Sequence, residues 1–305
     1  MAKYLVTGGC GFIGSHLVDR LIASNHEVVV LDNLSTGKIE NLSPKAELVV
    51  GDVLDGPLVQ KLLSQMQGCF HLAAIVGIPY NQDHWVAANN INLGGTVTIF
   101  DAARRARKDN PIPIVYPSSC AVYGHCEHLP LHETLFIRPI SSYGADKLGC
   151  ELQANAAWCE HRIPNVGLRL FNVYGPRQDP SSSYSGVISK FIAKIDDHEA
   201  VLIYGDGKQT RDFIYVADVI DAFIFFMENI SETAEVYNIC TGNSVTINDL
   251  VQIFSEIYQR PVEKIYSSKR TGDVLYSCGD PSKAAKIGYR ARYTMKEGLS
   301  EMLKR

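Results

Sequence analysis

The sequence predicts an α/β fold with a doubly wound parallel sheet, followed by a smaller α+β C-terminal lobe, and three observations point there. Short apolar runs alternate with longer helical patterns through the first half of the chain. Those runs are nearly continuous in Val, Ile and Leu, as in strands covered by helices on both faces. Beyond about residue 175 the alternation gives way to irregular strand-like and helical pieces.

Taken in order, "KYLVTG" reads as the first strand and leads to a helix opening near Phe12, whose apolar stripe is Ile13, Leu17, Leu21 and Ile22. "EVVVLDN" and "AELVVGDV" are the next strands, followed by a helix around "GPLVQKLLSQM" and the strand "GCFHLAA". A long helix is predicted over 90–107, then a strand in "PIPIVYPSS". Another helix should start after Ser142 and reach about His161, ahead of one strand in "NVGLRLFNVYG". The boundary is expected between 172 and 186, giving units 1–175 and 176–305. "DFIYVADVIDAFIFFM" is a candidate to pack back on the first.

With 305 residues, 46% of them hydrophobic and a net charge of −4, the chain can build a full core and offers no basic face for nucleic acid. No apolar run approaches the roughly 20 residues of a membrane span. "MAKYLVTGG" goes straight into a strand, and the eight cysteines are scattered without a CxxC pair. A cytoplasmic chain with reduced thiols is the expectation.

"VTGGCGFIGSH" places Gly8, Gly11 and Gly14 between the first strand and the first helix. In that position the glycines allow a tight turn, a close approach to a pyrophosphate and close helix–strand packing, with the helix N-terminus facing the phosphate. Asp32 ends the second strand about 20 residues on, where a carboxylate accepts hydrogen bonds from an adenosine ribose. No arginine follows in "DNLSTGK" to receive a 2′-phosphate, so NAD is expected over NADP. The domain is therefore predicted to be of Rossmann type. Asp52, in "GDVLD", reads either as a contact to the adenine end or as a simple turn residue.

"SYGADK" sets Tyr143 one helical turn before Lys147. On spacing alone such a pair is an ordinary surface feature. With the glycine loop, "SSCAVYG", "LRLFNVYGPRQ" and "GDGKQTRDFIYVADV", however, the chain resembles the extended short-chain dehydrogenase/reductase family. Within it the likeness is to nucleotide-sugar 4-epimerases of the UDP-glucose/UDP-N-acetylglucosamine type. The resemblance implies Tyr143 as base, Lys147 as its cationic neighbour and ribose ligand, and Ser119 as the hydroxyl that relays the proton. A phenol has an ordinary pKa of about 10, and a nearby ammonium and oxidised nicotinamide are expected to favour its ionised form. The cofactor implied is NAD, held by Gly8, Gly11, Phe12, Ile13 and Gly14 of the loop and by Asp32 and Asn33. Asp52, Val53, Ala73, Ala74, Tyr143 and Lys147 complete the implied set.

The same resemblance makes the second lobe a nucleotide-sugar-binding one, with Asn172, Arg211 and Arg270 on the diphosphate, Asp273 on a ribose hydroxyl, and Tyr204 a weaker candidate. A serine at 277 leaves space for a sugar 2-acetamido group, which leans the substrate towards UDP-GlcNAc/UDP-GalNAc, with UDP-Glc/UDP-Gal beside it. Related dehydratases carry an Asp-Glu pair after the serine, and related decarboxylases a glutamate at the second of those places. Here Cys120 and Ala121 stand there, and epimerisation is the simplest reaction left. A UDP-glucuronate 4-epimerase, a 4-keto-sugar reductase and a non-catalytic NAD-binding regulator stay as alternatives. The loop "IVGIPYN" offers Pro79 and Tyr80 where uronate enzymes often have an arginine. A homodimer through a four-helix bundle is implied, with Leu93, Val97, Phe100, Leu148, Leu152 and Ala156 as its apolar faces. His125, Cys126, His128 and His132 lie in a proline-containing loop, read as solvated and not as a metal site.

Overall fold

Seven parallel strands form the central sheet: β1 (Lys3–Thr7), β2 (Glu27–Asp32), β3 (Glu47–Val50), β4 (Gly68–His71), β5 (Ile114–Ser119), β6 (Asn165–Leu170) and β10 (Ala234–Ile239). They lie in the order β10-β6-β5-β4-β1-β2-β3. The computed structural model describes residues 1–76, 83–107, 109–126, 128–180, 186–230, 233–269 and 274–304. Successive residues of each strand point to opposite faces, so one apolar run supplies two cores. Leu5, Val29, Leu31 and Ile114 join one cluster, and Val6, Val28, Val30 and Val115 join the other.

The first of these cores is closed by α2 (Gly56–Leu63), α3 (Trp85 to Ala106) and α4 (Ser142–His161), through Leu63, Ile99, Phe100 and Ala154. The second is closed by α1 (Phe12–Ala23) and α6 (Val216–Glu228), through Leu17, Leu21 and Phe223. Burying each such side chain contributes about 1.5–3 kcal/mol. The helix α3 begins at Trp85, earlier than the 90–107 pattern predicts. It runs Trp85–Asn89, passes a π turn at Asn90–Gly94 and continues as Gly95–Ala106.

The single strand predicted over "NVGLRLFNVYG" is two strands in different sheets. The Phe171 N–H still bonds to Ile239 O at 3.1 Å, alongside β6. The next residues form β7 (Asn172–Tyr174), which pairs with β9 (Thr210–Tyr215), itself paired with β11 (Ser244–Thr246). A second small sheet joins β8 (Val201–Tyr204) to β12 (Lys264–Ser267). Around these lie α5 (Val187–Asp196), α7 (Ile247–Ile257) and α9 (Met295–Leu303), while α8 (Ser282–Lys286) packs on β10 of the large sheet.

Residues beyond 175 thus serve both lobes, because α6 and β10 complete the large sheet while the remainder builds the second lobe. Phe191, Leu250 and Phe254 of that lobe share one apolar cluster with Leu17 and Phe223, so the two lobes have a continuous core. Among the described residues no helix is long and apolar enough to cross a membrane. The strand order reverses between β1 and β4, and the crevice beyond their C-terminal ends is where ligands of such sheets sit.

Candidate active site

The glycine loop occupies that crevice. Gly8 has φ +68° and donates its N–H to Leu31 O at 2.9 Å; a Cβ there would lie 2.7 Å from Ala73 N. At Gly14 a Cβ would fall 2.2 Å from Gly8 O, which is why helix and loop can touch only at a glycine. Gly11 caps α1 without a side-chain partner, and a Cβ there would meet only Gly8 O, at 3.2 Å. The first N–H groups of α1 therefore face an open cradle, suited to an anion. Asp32 at the end of β2 accepts the Cys10 N–H at 2.9 Å and the Leu34 N–H at 2.8 Å. Its carboxylate is thereby a tie for the loop, with a second lone pair on each oxygen left for a ribose.

A cavity of about 420 Å³ opens along this edge. Its walls include Gly8, Gly11, Phe12, Ile13 and Gly14, then Asp32, Asn33 and Val53, then Ala73 and Ala74, and finally Ser119, Tyr143 and Lys147. The cradle, the carboxylate and the far wall of Ser119, Tyr143 and Lys147 together fit a dinucleotide lying across the switch point. Asp52 is not among the walls. It accepts the Leu54 N–H at 2.9 Å and the Asn33 amide at 3.3 Å, and so ties the turn after β3 to Asn33 of the cavity wall.

Ser119 is the last residue of β5 and caps the 3-10 turn Cys120–Tyr123, where its Oγ accepts the Ala121 N–H at 3.1 Å. With that acceptor role filled, its O–H is left to face the cavity wall it shares with Tyr143, where the hydroxyl favours the ionised phenol. Tyr143 stands in the first turn of α4, whose cap is the Ser141 side chain on the Gly144 N–H at 3.1 Å. Lys147 Nζ donates to Pro117 O at 3.0 Å and lies 5.9 Å from the Tyr143 ring centre.

Within the protein alone, burial opposes ionisation at this pair. Burial pushes the Tyr143 phenol well above its ordinary range and outweighs the Ser119 hydrogen bond that pulls it down. Burial also lowers Lys147, against the opposing charges of Cys150 and Asp146. The amine by itself does not deliver a phenolate. Cys120, beside Ser119, is pushed up to about 11 by burial and is therefore a thiol, not a nucleophilic thiolate.

A second cavity of about 320 Å³ continues into the other lobe and shares Val173 and Gln178 with the first. Asn172, Tyr204 and Arg211 line it. Asn172 donates its amide to Asp212 O at 2.9 Å, and Arg211 Nη1 to Thr210 O at 2.9 Å. Arg270, Asp273, Pro79 and Tyr80 lie outside the described residues. Ser277 is 6% exposed, donates its N–H to Thr210 Oγ1 at 3.4 Å and is not among the described walls of either cavity. Sequence reasoning passed over Gln178, which lies next to the more conspicuous Arg177. The latter turns away to an ion pair with Asp19 at 2.7 Å.

The family model for the NAD dependent epimerase/dehydratase family matches residues 4–240. A protein of Methanocaldococcus jannaschii, provisionally named UDP-glucose 4-epimerase, is 38% identical over 301 residues, covering 98% of this chain and 96% of its own. The UDP-N-acetylglucosamine 4-epimerase of Methanobrevibacter ruminantium M1, solved with UDP-N-acetylmuramic acid, superposes with a TM-score of 0.93 at 37% identity over 99% of this chain and 97% of its own. The UDP-glucose 4-epimerase of Thermotoga maritima, solved with UDP-glucose, gives a TM-score of 0.93 at 34% identity over 98% of this chain and 97% of its own.

Proposed function

This chain belongs to the NAD-dependent epimerase/dehydratase family, and from that premise we propose that it is an isomerase that inverts C4 of a UDP-hexose through a transient 4-keto sugar. One observation carries the reading: Ser119, Tyr143 and Lys147 line one cavity, and it runs on into a second lined by Asn172 and Arg211. A dinucleotide in the first and a UDP-sugar reaching in from the second would meet at Tyr143.

Bound NAD supplies the acceptor of a hydride from C4 and, in the return direction, its donor. Tyr143 takes the proton of the C4 hydroxyl and later returns it, while Ser119 relays that proton and keeps the phenol oxygen aimed at the sugar. The Lys147 ammonium favours the ionised phenol against the effect of burial. Arg211 and Asn172 hold the nucleotide end by charge-assisted and amide hydrogen bonds, leaving the hexose free to turn about its bond to the diphosphate. Tyr143 then meets the opposite face of C4. Cys120 and Ala121 put no carboxylate beside Ser119 to eliminate water from the keto sugar.

For the hexose we favour UDP-GlcNAc/UDP-GalNAc, with UDP-Glc/UDP-Gal as further substrates. The support is the small buried Ser277 packed at the start of β9, beside Arg211. Arg270 and Asp273 complete the proposed UDP grip. The protein is proposed to act as a homodimer through α3 and α4 of each copy. Val86, Val97 and Leu152 are 76%, 39% and 64% exposed there, whereas Phe100, also expected on that face, is in the core. Leu152→Glu should yield monomers by light scattering. The reaction is tested by incubating the protein with each UDP-sugar and resolving the products by chromatography. Interconversion without net change in reduced nicotinamide is expected. Stoichiometric consumption of reduced cofactor would mark a 4-keto-sugar reductase instead.

A further inference from the structure

We infer that Glu151 is a positioning residue for this reaction: its carboxylate, shared by Arg169 and Ser118, locks the end of β5 against α4 so that Ser119 stays aimed at Tyr143. The inference rests on the reading above, since it deepens the role of the same site.

Glu151 follows Lys147 by one helical turn and Tyr143 by two, on the same face of α4. Arg169 grips it with both arms of the fork, Nε on Oε1 at 2.9 Å and Nη2 on Oε2 at 2.7 Å. The side chains are only 4% and 6% exposed. Ser118 Oγ donates to the same Oε1 at 2.5 Å, and Ser118 pairs with Arg169 across the β5–β6 ladder. The remaining arm of Arg169 donates from Nη1 to Tyr123 Oη at 2.9 Å, and Tyr123 Oη donates to Asn238 Oδ1 at 2.7 Å.

Ser119 is therefore held from both sides. The residue before it is tied to the carboxylate, and the residue four places after it is tied to the guanidinium. Pro117 adds a third tie through Lys147. Pro117 and Ser118 thus bond to Lys147 and Glu151 of α4, and the next residue, Ser119, shares a cavity wall with Tyr143, one turn before Lys147. A buried ion pair adds little to stability compared with apolar side chains of the same volume, so geometry is the better account of its presence. Displacing a catalytic group by about 1 Å costs on the order of 100-fold in rate.

The test uses the NAD-loaded protein and the variants Glu151→Gln and Ser118→Ala. Turnover should fall by about 10- to 100-fold in the first and a few-fold in the second, with KM and bound NAD within about two-fold of wild type. The double variant should be no worse than Glu151→Gln alone, because both act through one contact. Tyr143 ionisation, read by ultraviolet difference against Tyr143→Phe, should move to higher pH as the Ser119 hydroxyl shifts away from the phenol. The groups around that phenol are Ser119 and Cys120 of the turn and Asp146, Lys147 and Cys150 of α4, and both variants leave them in place. Unchanged turnover in a folded Glu151→Gln protein overturns the inference, as does a loss that merely tracks melting temperature and NAD content. Should Glu151→Gln not fold, Ser118→Ala decides alone, and wild-type turnover there overturns it. A wild-type protein that converts no UDP-sugar defeats the proposed reaction. The Tyr143 titration still decides the positioning role, and identical curves in wild type and variant reject it.

Discussion

Lys147 donates from Nζ to the carbonyl oxygen of Pro117 at 3.0 Å, two residues before Ser119. The amine at the centre of the site is therefore anchored to the strand as well as to its own helix. It keeps two further N–H groups for a ligand. This contact helps to set the separation between the helix that carries the phenol and the strand that carries the serine, alongside the Ser118–Glu151 bond.

Tyr143→Phe should lower turnover by about 100- to 10,000-fold. The ring still fills its place in the cavity wall, and only the oxygen proposed to exchange the proton is lost. NAD content and melting temperature should stay close to wild type. Turnover near the wild-type rate would mean that another group moves the proton.

His71 makes stability depend on acid. Its Nδ1 lies 2.8 Å from Thr7 Oγ1 and its Nε2 lies 3.2 Å from Thr96 Oγ1. Thr96 gives its own proton to Asn92 O, so the neutral ring donates from Nε2 and accepts at Nδ1. Burial, reinforced by the Lys147 charge, lowers its pKa from the ordinary 6.5 to about 3. The unfolded chain takes up a proton as pH falls below 6.5, while the folded one does not until about 3. Stability should hold level above that window and fall within it by roughly 1.4 kcal/mol per pH unit. Chemical unfolding from neutral pH to pH 4 checks it, and His71→Gln should flatten the slope.

The sequence made the cofactor half of this site readable because its signals are local. A glycine loop at a strand–helix junction and a carboxylate ending the next strand have one geometric meaning in this topology. The start of α4 was equally clear, since Ser141 and Ser142 mark a cap. The start of α3 was not. Asn89, Asn90 and Asn92 break its apolar stripe, and their reason for being there is tertiary. Asn89 bonds to Asp146 at 2.6 Å, and Asn92 holds both the N–H and the C=O of Ile75, at 2.8 and 3.0 Å. The change of sheet at Phe171 had no local sign either, because "LFNVYG" keeps an extended pattern throughout. Arg169 and Glu151 left a faint trace as lone charges inside "GLRLF" and "LGCELQ". Only the register of β5 against β6 reveals that they face each other with Ser118 between them.

Gly14→Ala and Gly11→Ala should separate packing from ligand contact. A methyl at 14 would collide with Gly8 O at 2.2 Å, a backbone atom that moves only if the loop moves. Loss of NAD binding together with a lower melting temperature is expected. At 11 the methyl meets a single atom at 3.2 Å and otherwise enters the cavity. The free protein should keep its stability while NAD affinity falls by about ten-fold or more. Calorimetric titration with NAD and a thermal melt distinguish the two.

Asp32 is the residue proposed to carry the choice of dinucleotide. Both of its oxygens already accept backbone N–H groups, from Cys10 and Leu34, which fixes the carboxylate at the end of β2, facing the cavity. A 2′-phosphate brought there would place like charges a few ångströms apart in a partly desolvated site, costing several kcal/mol. NAD should therefore bind at least about 100-fold more tightly than NADP. Asp32→Asn should narrow that gap by removing the repulsion. It should also weaken NAD, because the Cys10 and Leu34 N–H groups lose a charged acceptor and the glycine loop loosens. Fluorescence titrations of both dinucleotides against both proteins check this, and equal affinities in the wild type would defeat the assignment of this carboxylate to the ribose.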